Sequence, residues 1–274
     1  MTQAAELASG KGHRDENFPV ASLLIRPECR APVMAFYRFA RAADDIADHA
    51  TASEAEKLAL LTNMRAGLAG EGAREAMDLR EVMAARGIDP IHAHDLLDAF
   101  TRDVTVRRYA SWEDLIGYCR VSAMPVGRYV LDVHGESRDS WPANDALCAA
   151  LQIINHLQDC AKDYAELDRV YIPMNTGLVV EQLGAAKATP ALRAIITGLA
   201  RRTRGLLDSS AGFAGLIRDR RLSAEVAAIQ KLAISLCDRP ERRDPLSERV
   251  HHGKLEALFL AAGAAIPVLL RRAA

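Results

Sequence analysis

The sequence predicts an all-α fold, a helical bundle in a single domain. Three observations carry this. Helix start and stop signals recur along the whole chain, and no apolar–polar alternation lasts long enough for a useful strand. Hydrophobic residues make up 50% of the chain, and alanine and leucine, both strong helix formers, dominate them. At 274 residues the chain reaches the upper end of what one hydrophobic core can serve. The expected layout is a flexible tail over 1–14 and one α-helical domain over 15–274.

Each element has a local reason. Pro32 suits the first turn of a helix running to about His49, because proline lacks the N–H that a first turn leaves unused. Ser53-Glu54-Ala55-Glu56 is a capping box opening the next helix. Gly87 reads as a helix terminator, and Asp89-Pro90 as a cap with a first-turn proline. Ser111-Trp112-Glu113-Asp114 is a second capping-box pattern. It starts a helix expected to reach His134, kinked at Pro125 and ended by Gly135. Further helices are expected over Asn144–Glu166, Pro190–Ile217, Ser223–Cys237 and Ser247–Arg272, with a polar, proline-flanked loop at Arg239–Pro245. No repeat at a solenoid period appears.

Composition narrows the function classes. A net charge of −1 argues against nucleic acid or another strongly charged partner. The five cysteines, Cys29, Cys119, Cys148, Cys160 and Cys237, are scattered and form no CxxC pair, as in a reduced cytoplasmic protein without a cysteine metal site. Met1 to Arg14 shows no apolar segment of a secretory signal. Leu255–Leu270, at 16 residues, is the nearest approach to the roughly 20 needed to span a bilayer. It reads first as a core helix, and second as a helix leaning on a membrane surface.

Two carboxylate stripes carry the chemistry. Tyr37, Arg41, Asp44 and Asp48 are spaced four, three and four residues apart, which places them on one helix face. Their neighbours Ala35, Phe36, Phe39, Ala40, Ala42, Ala43, Ile46 and Ala47 are apolar around most of the circumference, the pattern of a buried helix. Gln152, Asn155, Asp159 and Asp163 repeat the design on a background of Leu151, Ile153, Ile154 and Leu157. Charges on buried helices must face a polar cavity or be neutralised. Aspartates one turn apart on two such helices suit a shared oxygen-rich site. There Mg²⁺ would take few protein carboxylates and complete its shell with water and phosphate oxygens. The implied reaction is metal-assisted loss of diphosphate. Asp45 fits either as a ligand or as an outer partner.

Asp44-Asp45-Ile46-Ala47-Asp48 after Tyr37 and Arg41, followed by Gln152-x-x-Asn155-x-x-x-Asp159-x-x-x-Asp163, resembles the squalene and phytoene synthase family. The likeness extends from about Asn17 to Lys254. It includes Arg30, Asp103, Tyr118-Cys119, Arg169-Val170-Tyr171-Ile172-Pro173 and Glu248-Arg249-Val250. Glu16-Asn17-Phe18-Pro19-Val20-Ala21-Ser22, Val126-Gly127-Arg128 and Leu157-Gln158-Asp159-Cys160 are similar to the subgroup of hopanoid biosynthesis.

The resemblance implies an isoprenoid-synthase bundle whose central cavity is lined by the two aspartate-rich helices. It implies a prenyl diphosphate substrate, with presqualene diphosphate converted to hydroxysqualene by water capture, and handover to other enzymes of that pathway. Condensation of two prenyl diphosphates is the nearest alternative, and a non-catalytic assembly factor of the same fold is a more distant one. By resemblance, Asp44, Asp48, Asn155, Asp159 and Asp163 hold Mg²⁺, and Tyr37, Arg41 and Gln152 contact the diphosphate. Asn17 and Phe18 line the entrance. Two departures stand out: Gln158 where the family often has arginine, and Val121-Ser122-Ala123-Met124-Pro125 in place of a small-residue stretch.

Other residues read both ways. Arg41 suits a diphosphate clamp or a counter-ion to Asp44 and Asp45. His156 suits a packed neighbour of the second stripe or a base. Tyr118, Tyr164, Tyr171 and Phe18 suit core positions or cation–π partners of a carbocation. Lys162 falls off the stripe, His251-His252 lacks metal-ligand spacing, and Arg201, Arg202 and Arg204 read as a solvated face.

Overall fold

The computed structural model describes residues 24–270. Asn17, Phe18 and the 1–14 tail lie outside the described residues. Helices follow one another along the chain: α1 Pro27–Asp48, α2 Glu54–Ala69, α3 Arg74–Arg86, α4 Ile91–Thr105, α5 Trp112–Ser122, α6 Met124–His134, α7 Trp141–Gln158, α8 Cys160–Leu167, α9 Pro190–Ser209, α10 Phe213–Leu216, α11 Arg220–Cys237 and α12 Lys254–Leu270. No strand forms among the described residues; one parallel bridge joins Arg108 to Val170. No described helix is long and apolar enough to cross a membrane.

The chain divides into two compact units, residues up to Val106 with Arg120–Gly135, and Arg107–Cys119 with residues from Glu136 onward. In the first, α1 packs with α2, α3, α4 and α6 around buried Phe36, Phe39, Ile46, Met64, Leu79 and Leu97. Phe36 stacks on Tyr129 with centroids 4.0 Å apart. In the second, α7, α9 and α11 pack together and α12 lies along α11.

Several local signals act as expected. Ser53 and Glu56 close a full capping box at the start of α2. Ser111 Oγ accepts from the Asp114 N–H; Asp89 accepts from the Ile91 N–H, but Pro90 takes the cap position and α4 starts at Ile91, so the proline is not in the first turn. Gly87 and Gly135 end α3 and α6 with φ of 63° and 68°, a conformation that costs glycine little.

Other boundaries move. Helix α1 starts at Pro27, so Pro32 lies inside it. Pro32 has no N–H for the Glu28 carbonyl, and the Arg86 guanidinium of α3 donates to that carbonyl instead. The helix expected over 111–134 is two helices parted at Ala123, with Pro125 in the first turn of α6. A proline ring crowds the carbonyl four residues back, so the break precedes it. The helix expected over 144–166 is interrupted at Asp159.

In the second unit α9 stops at Ser209. The Ser210 hydroxyl donates to the Leu207 carbonyl, and a separate short α10 follows. Helix α11 begins at Arg220, where the Asp219 carboxylate caps the Arg221 and Leu222 N–H groups. Helix α12 begins at Lys254, because Glu248 folds back onto the Asp244 N–H and holds the preceding segment in a turn. The core-helix reading of Leu255–Leu270 is corrected: Ala265 is the sole fully buried residue of α12.

Candidate active site

The first stripe rides on a continuous α1, so the four- and three-residue steps place Tyr37, Arg41, Asp44 and Asp48 on one face. Ala35, Phe36, Phe39, Ala43, Ile46 and Ala47 are buried around it. Arg41 holds two carboxylates at once, with Nη1 2.9 Å from Asp44 Oδ2 and Nη2 2.5 Å from Asp45 Oδ1. Asp45 is buried, whereas 37% of the Asp44 side chain remains exposed. Burial pushes the Asp44 carboxyl up to about 7; Asp48, Asp103 and Asp45 add to the rise and Arg41 opposes it. Asp103 is buried on α4 among Leu96, Leu97 and Val104. The sequence marked it as a family landmark, but a lone carboxylate does not reveal which stripe it adjoins.

The second stripe spans the α7–α8 break. Backbone bonds still run through it: the Asp159 N–H donates to the Asn155 carbonyl at 2.9 Å and the Asp163 N–H to the Asp159 carbonyl at 2.8 Å. Asp159 thus joins two helices while staying one turn from Asn155 and Asp163. Burial raises the Asp159 carboxyl above its ordinary range, Asp163 adds to this, and His251, Lys162 and His156 oppose it. Gln152 Nε2 faces His156 Nε2 at 3.1 Å, and His156 Nδ1 lies 3.6 Å from Asp163 Oδ2.

The His156 ring stacks on Tyr171 at 3.4 Å between centroids, and Tyr118 and Tyr109 pack against Tyr171 at 5.6 and 5.5 Å. Tyr109, which the sequence pattern passed over, therefore joins this cluster, and His251, set aside there for lacking metal-ligand spacing, reaches the second stripe. Tyr109 arrives on the segment bridged to Val170. His251 Nε2 lies 3.8 Å from Asp159 Oδ1, brought there from a stretch 92 positions further along the chain. Neither has a periodic signature. Tyr164 is half-buried and Lys162 exposed. Arg201, Arg202 and Arg204 form a surface row, paired with Glu241, Glu113 and Asp238 at 2.9, 2.8 and 2.7 Å.

Gln158 is set apart. It is 6% exposed, and among the described residues neither its Oε1 nor its Nε2 meets a hydrogen-bond partner. Such groups cost about 1–3 kcal/mol when left unmet.

Among the described residues, no group of three or more His, Cys, Asp or Glu is arranged to hold a metal with protein ligands alone. A hard cation that keeps waters and phosphate oxygens does not need such a cage. The donor chemistry fits it: each stripe supplies carboxylate oxygens, and a cation beside them would favour the charged form that burial, and then the neighbouring carboxylates, oppose.

The profile described as squalene/phytoene synthase matches residues 12–256. A hydroxysqualene synthase of Zymomonas mobilis is 54% identical over 94% of this chain and 90% of its own length. One of Rhodopseudomonas palustris is 51% identical over 99% of this chain and 95% of its own. The solved squalene synthase of Alicyclobacillus acidocaldarius superimposes with a TM-score of 0.73 at 30% identity, covering 87% of this chain and 92% of that one.

Proposed function

The chain belongs to the squalene/phytoene synthase family, and we propose that it converts presqualene diphosphate and water into hydroxysqualene and diphosphate with Mg²⁺. The observation that carries this reading is the identity of 54% and 51%, over nearly the whole chain, to two hydroxysqualene synthases. Residues 15–274 are read as one synthase domain behind a 1–14 tail, in keeping with the family match over 12–256.

The residues divide the work. Asp44, Asp48, Asn155, Asp159 and Asp163 would hold the metal. When bound, Mg²⁺ supplies positive charge that stabilises the diphosphate as it leaves. Arg41, whose planar fork is oriented by Asp44 and Asp45, would contact diphosphate oxygens. Tyr37 and Gln152, on the same two stripes, would contact the diphosphate as well, and Asn17 and Phe18 would line the entrance.

The carbon–oxygen bond breaks with its electron pair on the diphosphate, leaving a cyclopropylcarbinyl cation that rearranges. The oxygen of water then bonds to carbon, and one water proton departs. His156, held between Gln152 and Asp163, is an imidazole at the second stripe that would pass that proton on. The electron-rich faces of Tyr118 and Tyr171 suit a passing cation. The alcohol would then pass to later enzymes of hopanoid formation.

The test is incubation of the purified chain with presqualene diphosphate and Mg²⁺ in H₂¹⁸O, without NADPH. The expected product is a C30 alcohol carrying ¹⁸O. An unlabelled hydrocarbon would instead favour the reading suggested by the solved squalene synthase.

A further inference from the structure

Tyr171 lies against the second stripe without belonging to it. Its ring stacks on the His156 imidazole with centroids 3.4 Å apart and planes 12° from parallel. The edge of that imidazole meets Gln152 Nε2 at 3.1 Å and Asp163 Oδ2 at 3.6 Å. Edge contacts leave the tilt of the ring open, because the terminal torsion of a histidine has a broad range. A second ring at stacking distance removes that freedom.

Tyr171 is itself held in place. It is 8% exposed, and Tyr109 and Tyr118 pack on its ring at 5.5 and 5.6 Å. Its backbone strap is stitched to residues 107–110. The Val170 N–H donates to the Arg107 carbonyl at 2.9 Å, the Met174 N–H to the Tyr109 carbonyl at 2.9 Å, and the Asn175 N–H to the Ala110 carbonyl at 3.1 Å. Where the strap begins, Asp168 has a φ of 50°, the one positive value outside glycine among the described residues. That conformation costs most residues about 1–2 kcal/mol. The Arg108 guanidinium closes over it, donating to the Asp168 carbonyl and, at 2.6 Å, to its carboxylate. All of these residues lie in the same compact unit as the second stripe.

We propose that Tyr171, anchored by this strap, is a positioning residue that orients His156 and so sets how the cation is quenched. The inference rests on the water capture argued above and names the part that decides it. A water hydrogen-bonded to a fixed imidazole stands at one place beside the cation. Its oxygen bonds to carbon, one water proton leaves to solvent, and an alcohol results. With the ring free to tilt, no water is placed. The cation then loses a carbon-bound proton to solvent, and the electron pair left behind closes a double bond, giving a hydrocarbon.

The test compares Tyr171→Leu, Tyr171→Phe and Arg108→Ala, each with and without His156→Gln, on presqualene diphosphate and Mg²⁺ in H₂¹⁸O. Tyr171→Leu should lower the ratio of labelled alcohol to hydrocarbon by about tenfold or more, with KM little changed. Tyr171→Phe restores the ring and should recover the ratio. Arg108→Ala empties no core position and should shift the ratio in the same direction as Tyr171→Leu; it decides the matter if the leucine variant does not fold. In the His156→Gln background none of these changes should move the ratio further. A second readout needs no substrate. The His156 ring-proton resonance, identified by its loss in His156→Gln, should leave its ring-current-shifted position in Tyr171→Leu and keep it in Tyr171→Phe. An unaltered chain that makes no alcohol overturns the water-capture reading and this role with it, whereas a resonance that stays put in Tyr171→Leu overturns the role alone. So do an unchanged ratio in both Tyr171→Leu and Arg108→Ala, a raised KM at constant ratio, or a loss of equal size without His156, since Tyr171 would then act on the cation directly.

Discussion

Asp44 shows how one carboxyl can report on its site. Its folded-state value of about 7 lies above the ordinary 3.8, because burial and the charge of Asp48 both disfavour ionisation. The folded chain therefore holds this proton more tightly than the unfolded chain does. The sign follows: the stability linked to Asp44 is present at low pH and is lost as pH rises from about 4 to about 7. Melting temperatures of the EDTA-treated chain and of Asp44→Asn should converge near pH 4. The variant should be the more stable of the two at pH 7.5, and Mg²⁺ should raise the native chain's melting temperature there. Curves that stay parallel across this range would remove the electrostatic account. Gln158 gives a second residue-scale prediction. Gln158→Met removes two unmet polar atoms and should stabilise the fold by about 1 kcal/mol or more. If its amide holds the trapping water, the alcohol share of the product should fall in favour of hydrocarbon. An unchanged product ratio would confine Gln158 to a structural role.

Elements in this chain depend on side chains from other elements at their weak points. Pro32 leaves the Glu28 carbonyl of α1 without its backbone donor, and Arg86 at the end of α3 replaces it. Arg86→Ala should cost about 1–2 kcal/mol in urea unfolding. In a Pro32→Ala background the same change should cost much less, since residue 32 would then supply an N–H of its own. A double-mutant cycle with no coupling would show that the contact carries no stability. The break at Asp159 has another consequence. A straight helix would keep Asp163 in strict register with Asn155, whereas the break lets α8 turn while Asp159 stays bonded to both sides.

For the whole molecule, the proposed chemistry draws on both aspartate stripes. Asp44→Asn and Asp159→Asn should each lower turnover by roughly 100-fold or more while leaving helix content unchanged. EDTA should abolish activity and Mg²⁺ restore it. Full turnover in EDTA, or in either variant, would sink the two-stripe mechanism. The surface has its own division of labour. The arginine row of α9 is tied into ion pairs, whereas Leu255, Leu258, Phe259, Ile266 and Leu270 of α12 are exposed.

The local grammar of the sequence determined much of this protein. Ser53 and Glu56, Gly87, Gly135 and the Asp89 cap act within a few residues of themselves, so their outcome needs no knowledge of the fold. The stripe spacings are equally local: a continuous α1 makes the Tyr37–Asp48 face follow from arithmetic. Tertiary structure decided the rest. Pro32 could be read as a helix start because Arg86, which donates to the Glu28 carbonyl in its place, lies 58 positions from Glu28. Asp103, Tyr109 and His251 reach the stripes through packing between distant segments, which no periodicity records. Whether Leu255–Leu270 would be buried was also beyond a sequence pattern. An apolar helix is covered only if enough partners surround it, and among the described residues α12 packs mainly along α11.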